Sequence, residues 1–292
     1  MSTTTTTFTS PFASSRVRFS RLLVSEWRKL WSLRSTWWVL GITALLIIGF
    51  ALIFSAAMSS AMSDPEFERQ MGGAIHPTTY VTSGYTFAVL VGAALGALTV
   101  TGEYSTGMIR ATLSAAPTRL PVLWAKLVVV AVAIFGVTAL STAVAYVVTN
   151  PILSGHNIHI DLSDGEHVRA LLGVPLYVTV VALFAVAVGV LLRSTPGAIV
   201  TVVGVFFLVP TIASVIAMAT GQAWAEAVNK WLPGAAGERI ITQVGEAAPV
   251  NGATGPGSTL ALFDAWTGFA VLGAYTVVLI AVAAVVLKRR DA

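Results

Sequence analysis

The stretch TGEYSTGMIRATLSAAPTR, residues 101–119, sets Glu103, Tyr104, Ser105, Thr106, Arg110 and Arg119 between two clean apolar runs. Each run is close to the roughly 20 residues that a helix needs to cross a bilayer. The stretch therefore reads as a polar elbow between two spans, and the fold class as an all-α membrane protein. A membrane protein that does work must let something outside the bilayer push on its helices, and this elbow is the candidate handle.

Composition agrees. Of 292 residues, 56% are hydrophobic and 10% charged, with a mean hydropathy of +0.83, whereas soluble domains carry about 25% charge. The absence of cysteine excludes disulfides, thiolate metal sites and cysteine nucleophiles. Residues 1–15 are Thr/Ser-rich and uncharged, and are expected to form a disordered tail rather than a cleavable signal peptide.

Outward from the elbow, hydropathy places six spans at residues 37–59, 81–101, 127–149, 171–192, 197–220 and 266–287. With the N-terminus taken as cytoplasmic, 13 of the 17 cations fall inside, and 10 of the 13 acids fall outside. That positive-inside bias puts both termini in the cytoplasm. None of the six spans, so drawn, holds Asp, Glu, Lys, Arg or His. Ion-driven carriers and intramembrane enzymes commonly place ionisable groups at depth, so energy is expected to enter from elsewhere.

Residues 16–34 precede the first span. At 100° per residue, Phe19, Leu22, Leu23, Trp27, Leu30, Trp31 and Leu33 share one arc, and Arg18, Arg21, Ser25, Arg28, Lys29 and Ser32 the opposite one. This is the pattern of a helix lying in the interface of an anionic leaflet. Glu26 falls inside the apolar arc, either to pair with Lys29 or to touch a partner. Gly92, Ala93, Gly96 and Ala97 predict close helix approach at the second span, and Gly189, Gly204, Gly268 and Gly273 likewise elsewhere. Pro210 predicts a kink in the fifth span, as a hinge or as a static bend.

Residues 103–116 are expected to form a short helix ended by Pro117, with Glu103 near its N-terminus and Tyr104, Met108 and Arg110 exposed for docking. Trp124 and Lys126 read as interfacial anchors of the third span, and residues 193–196 as a second, tight inside turn. The outer loop 221–265 is half apolar, and residues 224–232 and 237–245 predict two short helices split by Pro233 and Gly234.

SEWRKLWSLRSTWW at residues 25–38, and TGEYSTGMIRATLSAAPTR with Lys126, resemble the bacterial ABC-2-type transporter permeases. The resemblance spans residues 16–290. It implies the transmembrane subunit of an ATP-binding cassette exporter of the type V plan: an interfacial connecting helix at 16–34, six transmembrane helices, a coupling segment within 102–120, and re-entrant outer helices before the sixth span. Carried over, Glu103, Tyr104, Ser105, Thr106, Gly107, Met108 and Arg110 are the coupling residues. Glu26, Trp27, Arg28 and Trp31 seat the connecting helix, and Pro210 is the hinge. The implied partners are a cytosolic ATPase subunit, a second permease half forming a homodimer in the simplest case, and membrane lipid. ATP and Mg belong to the partner subunit, no cofactor to this chain, and the compartment is the bacterial plasma membrane.

Competing chemistries find little footing. GATGPGST at 252–259 has the G-x-x-x-x-G spacing, but Ser258 stands where a P-loop needs lysine, and the segment lies in an outside loop. His156, His159, Asp161, Asp164, Glu166 and His167 crowd one outer loop and are competent zinc or copper ligands, yet histidines in a hydrated loop are usually only solvated. A membrane enzyme on lipid-linked substrates would have to use that loop. An ion-coupled carrier is the other alternative. The inside cations sit at span ends, where anionic lipid rather than nucleic acid explains them. The apolar path leans toward a lipid, drug or antibiotic-like cargo.

Overall fold

The computed structural model describes residues 18–64, 66, 76–108, 119–156, 158–220, 223–243 and 263–289. The expected tail at 1–15, the Arg110 segment and the glycine-rich 252–259 lie outside the described residues. Within them the chain is helical throughout: α1 Phe19–Ser32, α2 Arg34–Met62, α3 Pro77–Thr82, α4 Tyr85–Ser105, α5 Arg119–Ser154, α6 Gly165–Leu192, α7 Thr195–Val203, a π-helical turn Gly204–Leu208, α8 Val209–Thr220, α9 Ala223–Trp231, α10 Pro233–Glu238 and α11 Ala265–Arg289. Six of these helical stretches are long and apolar enough to cross a membrane: α2, α4, α5, α6, the α7–α8 run and α11.

The axis of the bundle is α6. Of its most apolar stretch 78% is buried, against 17% for the α7–α8 run and 22% for α11. Asp164 starts it, its carboxylate accepting the Glu166 amide at 2.9 Å as an N-cap. The sequence of α6 is a run of Val, Ala and Gly, so neighbours approach to backbone distance. A Cβ on Gly92 of α4 would stand 3.0 Å from Val178, one on Gly96 would collide with the Ala182 backbone, and one on Gly189 would stand 3.3 Å from the Ala97 carbonyl. The small-residue expectation holds for this contact and for Gly268, which meets the Ala236 carbonyl. It fails at Gly204 and Gly273, where a Cβ would meet nothing within 4 Å.

One further expectation needs correction. The second short outer helix is not residues 237–245 but Pro233–Glu238. Pro233 opens it, because a residue with no N–H and a fixed φ costs nothing at the first helical position. The described part of 239–243 forms a turn, which Arg169 ties to α6 by donating to the carbonyls of Arg239, Ile240 and Thr242 at 3.0–3.1 Å. In the fifth span, where Pro210 predicts a kink, the backbone departs from a plain α-helix. Just ahead of Pro210 it widens into a π turn, in which the Val209 amide reaches back to the Gly204 carbonyl. Proline supplies no N–H for the Phe206 carbonyl four residues earlier, and a wide turn takes up the misfit.

Candidate functional site at the basic end of the bundle

One end of the bundle carries Arg18, Arg21, Arg28, Arg34, Lys126, Arg193, Lys288 and Arg289. At this basic end α4 does not stop at Thr101 but runs one more turn, to Ser105. Thr106 then caps it, its amide bonded to the Gly102 carbonyl, and Gly107 follows with φ +70°. Glycine takes that left-handed geometry without strain and ends the helix. Glu103 is thus in the last turn of a span, not the first turn of a separate helix. The expectation of a helix at 103–116 fails at its start, where Glu103 to Ser105 close α4, and residues 109–116 lie outside the described residues.

Glu103 is buried, and so are Glu26 of α1 and Lys126 of α5. The Lys126 ammonium donates to Glu26 Oε2 at 2.7 Å, to the Thr99 carbonyl at 2.9 Å and to Glu103 Oε1 at 3.0 Å. All three of its protons are used. Lys29, on the turn after Glu26, donates to Glu26 Oε1 at 2.8 Å and to Glu103 Oε1 at 3.1 Å. Two acids and two lysines make a neutral quartet joining three helices. Neutrality matters, since a buried charge without its counterpart costs several kcal/mol. Burial pushes the Glu26 carboxyl up, but Lys126 and Lys29 beside it more than offset this and hold it below the ordinary carboxylate value of 4.5. Burial likewise pushes Lys29 down, and Glu26 and Glu103 outweigh it and hold the ammonium above 10.5. Glu103 Oε2 is buried and accepts no hydrogen bond among the described residues.

The quartet corrects several expectations. The helices that form the spans do carry buried charge, Glu103 and Lys126, at their basic ends. Lys126 is no snorkelling anchor, whereas Trp124 beside it is 51% exposed. Of the four connecting-helix residues, Glu26 is buried with Leu30, while Arg28 and Trp27 face outward. Trp31 is half buried, with Trp27 and Trp37 rings 5.5 and 4.7 Å from its own. The Trp37 indole donates to the Trp31 carbonyl at 3.1 Å and so satisfies one carbonyl at the end of α1. Only Leu33, in extended geometry, separates α1 from α2.

The elbow residues divide by orientation. Tyr104, expected to be exposed, is half buried, with the Arg193 guanidinium 5.0 Å above its ring. The tight turn carrying Arg193 has a left-handed φ of 54° there, and Thr195 Oγ1 just beyond it donates to Thr101 Oγ1 at 2.7 Å. Ser105, Thr106, Gly107 and Met108 are exposed. The Ser105 and Thr106 hydroxyls both turn back to the Gly102 carbonyl, at 3.0 and 2.8 Å, which leaves Met108, 47% exposed, as the outward apolar projection.

Sequence reasoning named Lys126 beside the elbow only as an anchor, and the 193–196 turn only as a minor contact; the ion pairs of Lys126, the stacking of Arg193 on Tyr104 and the Thr195–Thr101 bond were not foreseen. One signal was available: Glu26 and Glu103 are two of only three acids among the cations of this end.

At the opposite end the histidine loop is occupied with its own structure. His156 Nε2 lies 2.6 Å from Ser59 Oγ of α2, and His167 Nδ1 lies 3.0 Å from the Asp161 carbonyl. Among the described residues no three His, Asp or Glu groups converge on a common point suited to a metal ion.

No curated protein matches the chain. The profile of the family described as "ABC-2 family transporter protein" matches residues 25–292. It takes in the quartet, the elbow and every span. The chain belongs to the ABC-2 family of transporter proteins and is the membrane component of an ATP-binding cassette transporter.

Proposed function

We propose that the chain is the permease half of an exporter, working as a pair with two copies of a separate cytosolic ATPase, with the basic end facing the cytoplasm. The reading is supported above all by the buried quartet. It ties α1, the exit of α4 and the entry of α5 together immediately beside the exposed Ser105–Thr106–Gly107–Met108 turn. A push on that turn then cannot move α4 alone. Closure of the ATPase pair on ATP would shift the three helices as one body, and the backbone-close contact between α4 and α6 would hand the motion to the bundle axis. Pro210 and its π turn would be the compliant point of the fifth span. The cargo most compatible with apolar walls is a lipid or an amphipathic drug or antibiotic.

Because the chain has no cysteine, the test is direct. Met108→Cys is introduced as the sole thiol and probed in whole cells and in inverted vesicles. Labelling by a membrane-impermeant maleimide is expected only in inverted vesicles, with protection when the ATPase is co-expressed. Labelling in intact cells ends the proposal, and labelling that the ATPase leaves unchanged removes the coupling role of this turn.

A further inference from the structure

A second feature of the basic end lies on the far side of α1 from the quartet. Val24, Trp27 and Arg28 of α1 and Val128, Val129 and Val132 of α5 line an open groove of about 290 Å³. Apart from Arg28 its wall is apolar. Val128 and Val132 are 42% and 55% exposed, although they sit next to a tightly closed interface. Arg21, Val24 and Arg28 follow one another at i, i+3 and i+7, so a second guanidinium stands on the same face of the helix nearly two turns, about 10 Å, away. Arg18, Arg21 and Arg28 are exposed and form no salt bridge among the described residues. The single acid of α1, Glu26, is turned inward and neutralised by Lys29 and Lys126.

We propose that this groove is a specific seat for one anionic phospholipid. Part of an acyl chain lies along the exposed Val128 and Val132 of α5, and the phosphodiester is held by Arg28, with Arg21 further along the same face adding to the positive field. The chemistry fits on both counts. A guanidinium binds phosphate oxygens in pairs, and an indole such as Trp27 favours the level between headgroup and hydrocarbon. Shape argues against cargo, since a site that encloses a drug-sized molecule buries most of its surface and this groove is open along one side. The proposal rests on α1 lying at the membrane surface, but not on any step of transport.

The test counts lipid rather than activity. The full chain is purified in a neutral detergent, offered phosphatidylglycerol or phosphatidylcholine at equal mole fraction, and the lipid retained per chain is read by native mass spectrometry. Phosphatidylglycerol is expected to be retained over phosphatidylcholine. Arg28→Gln should weaken it about fivefold, because one arginine near an anionic surface is worth about 1 kcal/mol. Val132→Trp, which fills the groove without changing charge, should do at least as much, while Arg289→Gln on α11 should have no effect. Equal retention of the two lipids overturns the proposal. So does an equal loss with Arg289→Gln, which would mean general leaflet charge, or displacement by inorganic phosphate, which would mean a phosphate site. The Met108 labelling above is independent of all these outcomes, so either reading can fail alone.

Discussion

Replacing Lys126 by methionine keeps an unbranched apolar stem out to Cε, with sulfur in place of one methylene, and removes the ammonium. Three hydrogen bonds of 2.7, 2.9 and 3.0 Å are lost, two of them to carboxylates. Glu26 and Glu103 are then left with Lys29 alone, and the quartet falls from neutral to one net negative charge. Lys29 cannot compensate fully, since its side chain is 33% exposed and it lies at the rim. Breaking a buried pair on one side costs about 3–5 kcal/mol, roughly a thousandfold in the unfolding equilibrium. A second change, Glu103→Gln in the same chain, restores charge balance, with one acid facing one lysine. It should return about 2 kcal/mol, within the range of coupling between contacting residues. The measurement is SDS-induced unfolding of the purified protein in mild detergent, followed by far-UV circular dichroism. A parallel set carrying Leu30→Cys as the only thiol reports release of α1, because Leu30 is 4% exposed when α1 is seated. Lys126→Met should make that thiol reactive, and the double variant should protect it again. A single variant within about 1 kcal/mol of the parent, or losses that simply add in the double, refutes the claim that the quartet acts as one buried unit.

Gly96→Val should cost more than about 2 kcal/mol in the same assay, because a side chain there strikes the Ala182 backbone, which cannot yield. Gly273→Ala, in open space, should be neutral or stabilising by up to about 1 kcal/mol from helix propensity. Seating of α1 should not change with pH across the neutral range. The Glu26 contribution is complete above 4.5 and is lost as pH falls through its lowered folded value. The Lys29 contribution is complete below 10.5 and is lost as pH rises through its raised one. A Leu30→Cys labelling rate that rises between pH 6 and 8 relative to the same thiol in the SDS-unfolded chain at each pH, which removes the ordinary gain in thiolate, would contradict both directions. Pro210→Ala returns an N–H toward the Phe206 carbonyl, and should leave stability intact while slowing ATP turnover of the assembled complex by about tenfold if the π turn is a working joint. Unchanged turnover makes it a static bend.

Hydropathy made the spans legible, since lipid imposes its demand residue by residue along the chain. The close face of α4 was legible for the same reason: Gly92, Ala93, Gly96 and Ala97 form a local pattern. The quartet was not. Its bonds join residues 23, 74 and 100 positions apart, and hydropathy ends a span at the first charge, so Glu103 fell just outside the one it belongs to. Nothing in its immediate neighbours says that Lys126 on the next helix and Lys29 three helices back will neutralise it. Tyr104 was misplaced for a related reason, because the Arg193 that covers it arrives from another turn. Pro233 was read as a break when its position made it a beginning; proline marks a boundary in sequence but does not say on which side the helix lies.

The join at Leu33 has a mechanical consequence. A single residue offers two torsions, and the Trp37 indole bonded across the gap to Trp31 takes up some of that freedom. The first span and the helix before it therefore form a stiff knee. Whatever swings the shorter limb must tilt the longer one, so under the proposed coupling the membrane-crossing post that follows α1 would answer to the same lever as the polar elbow.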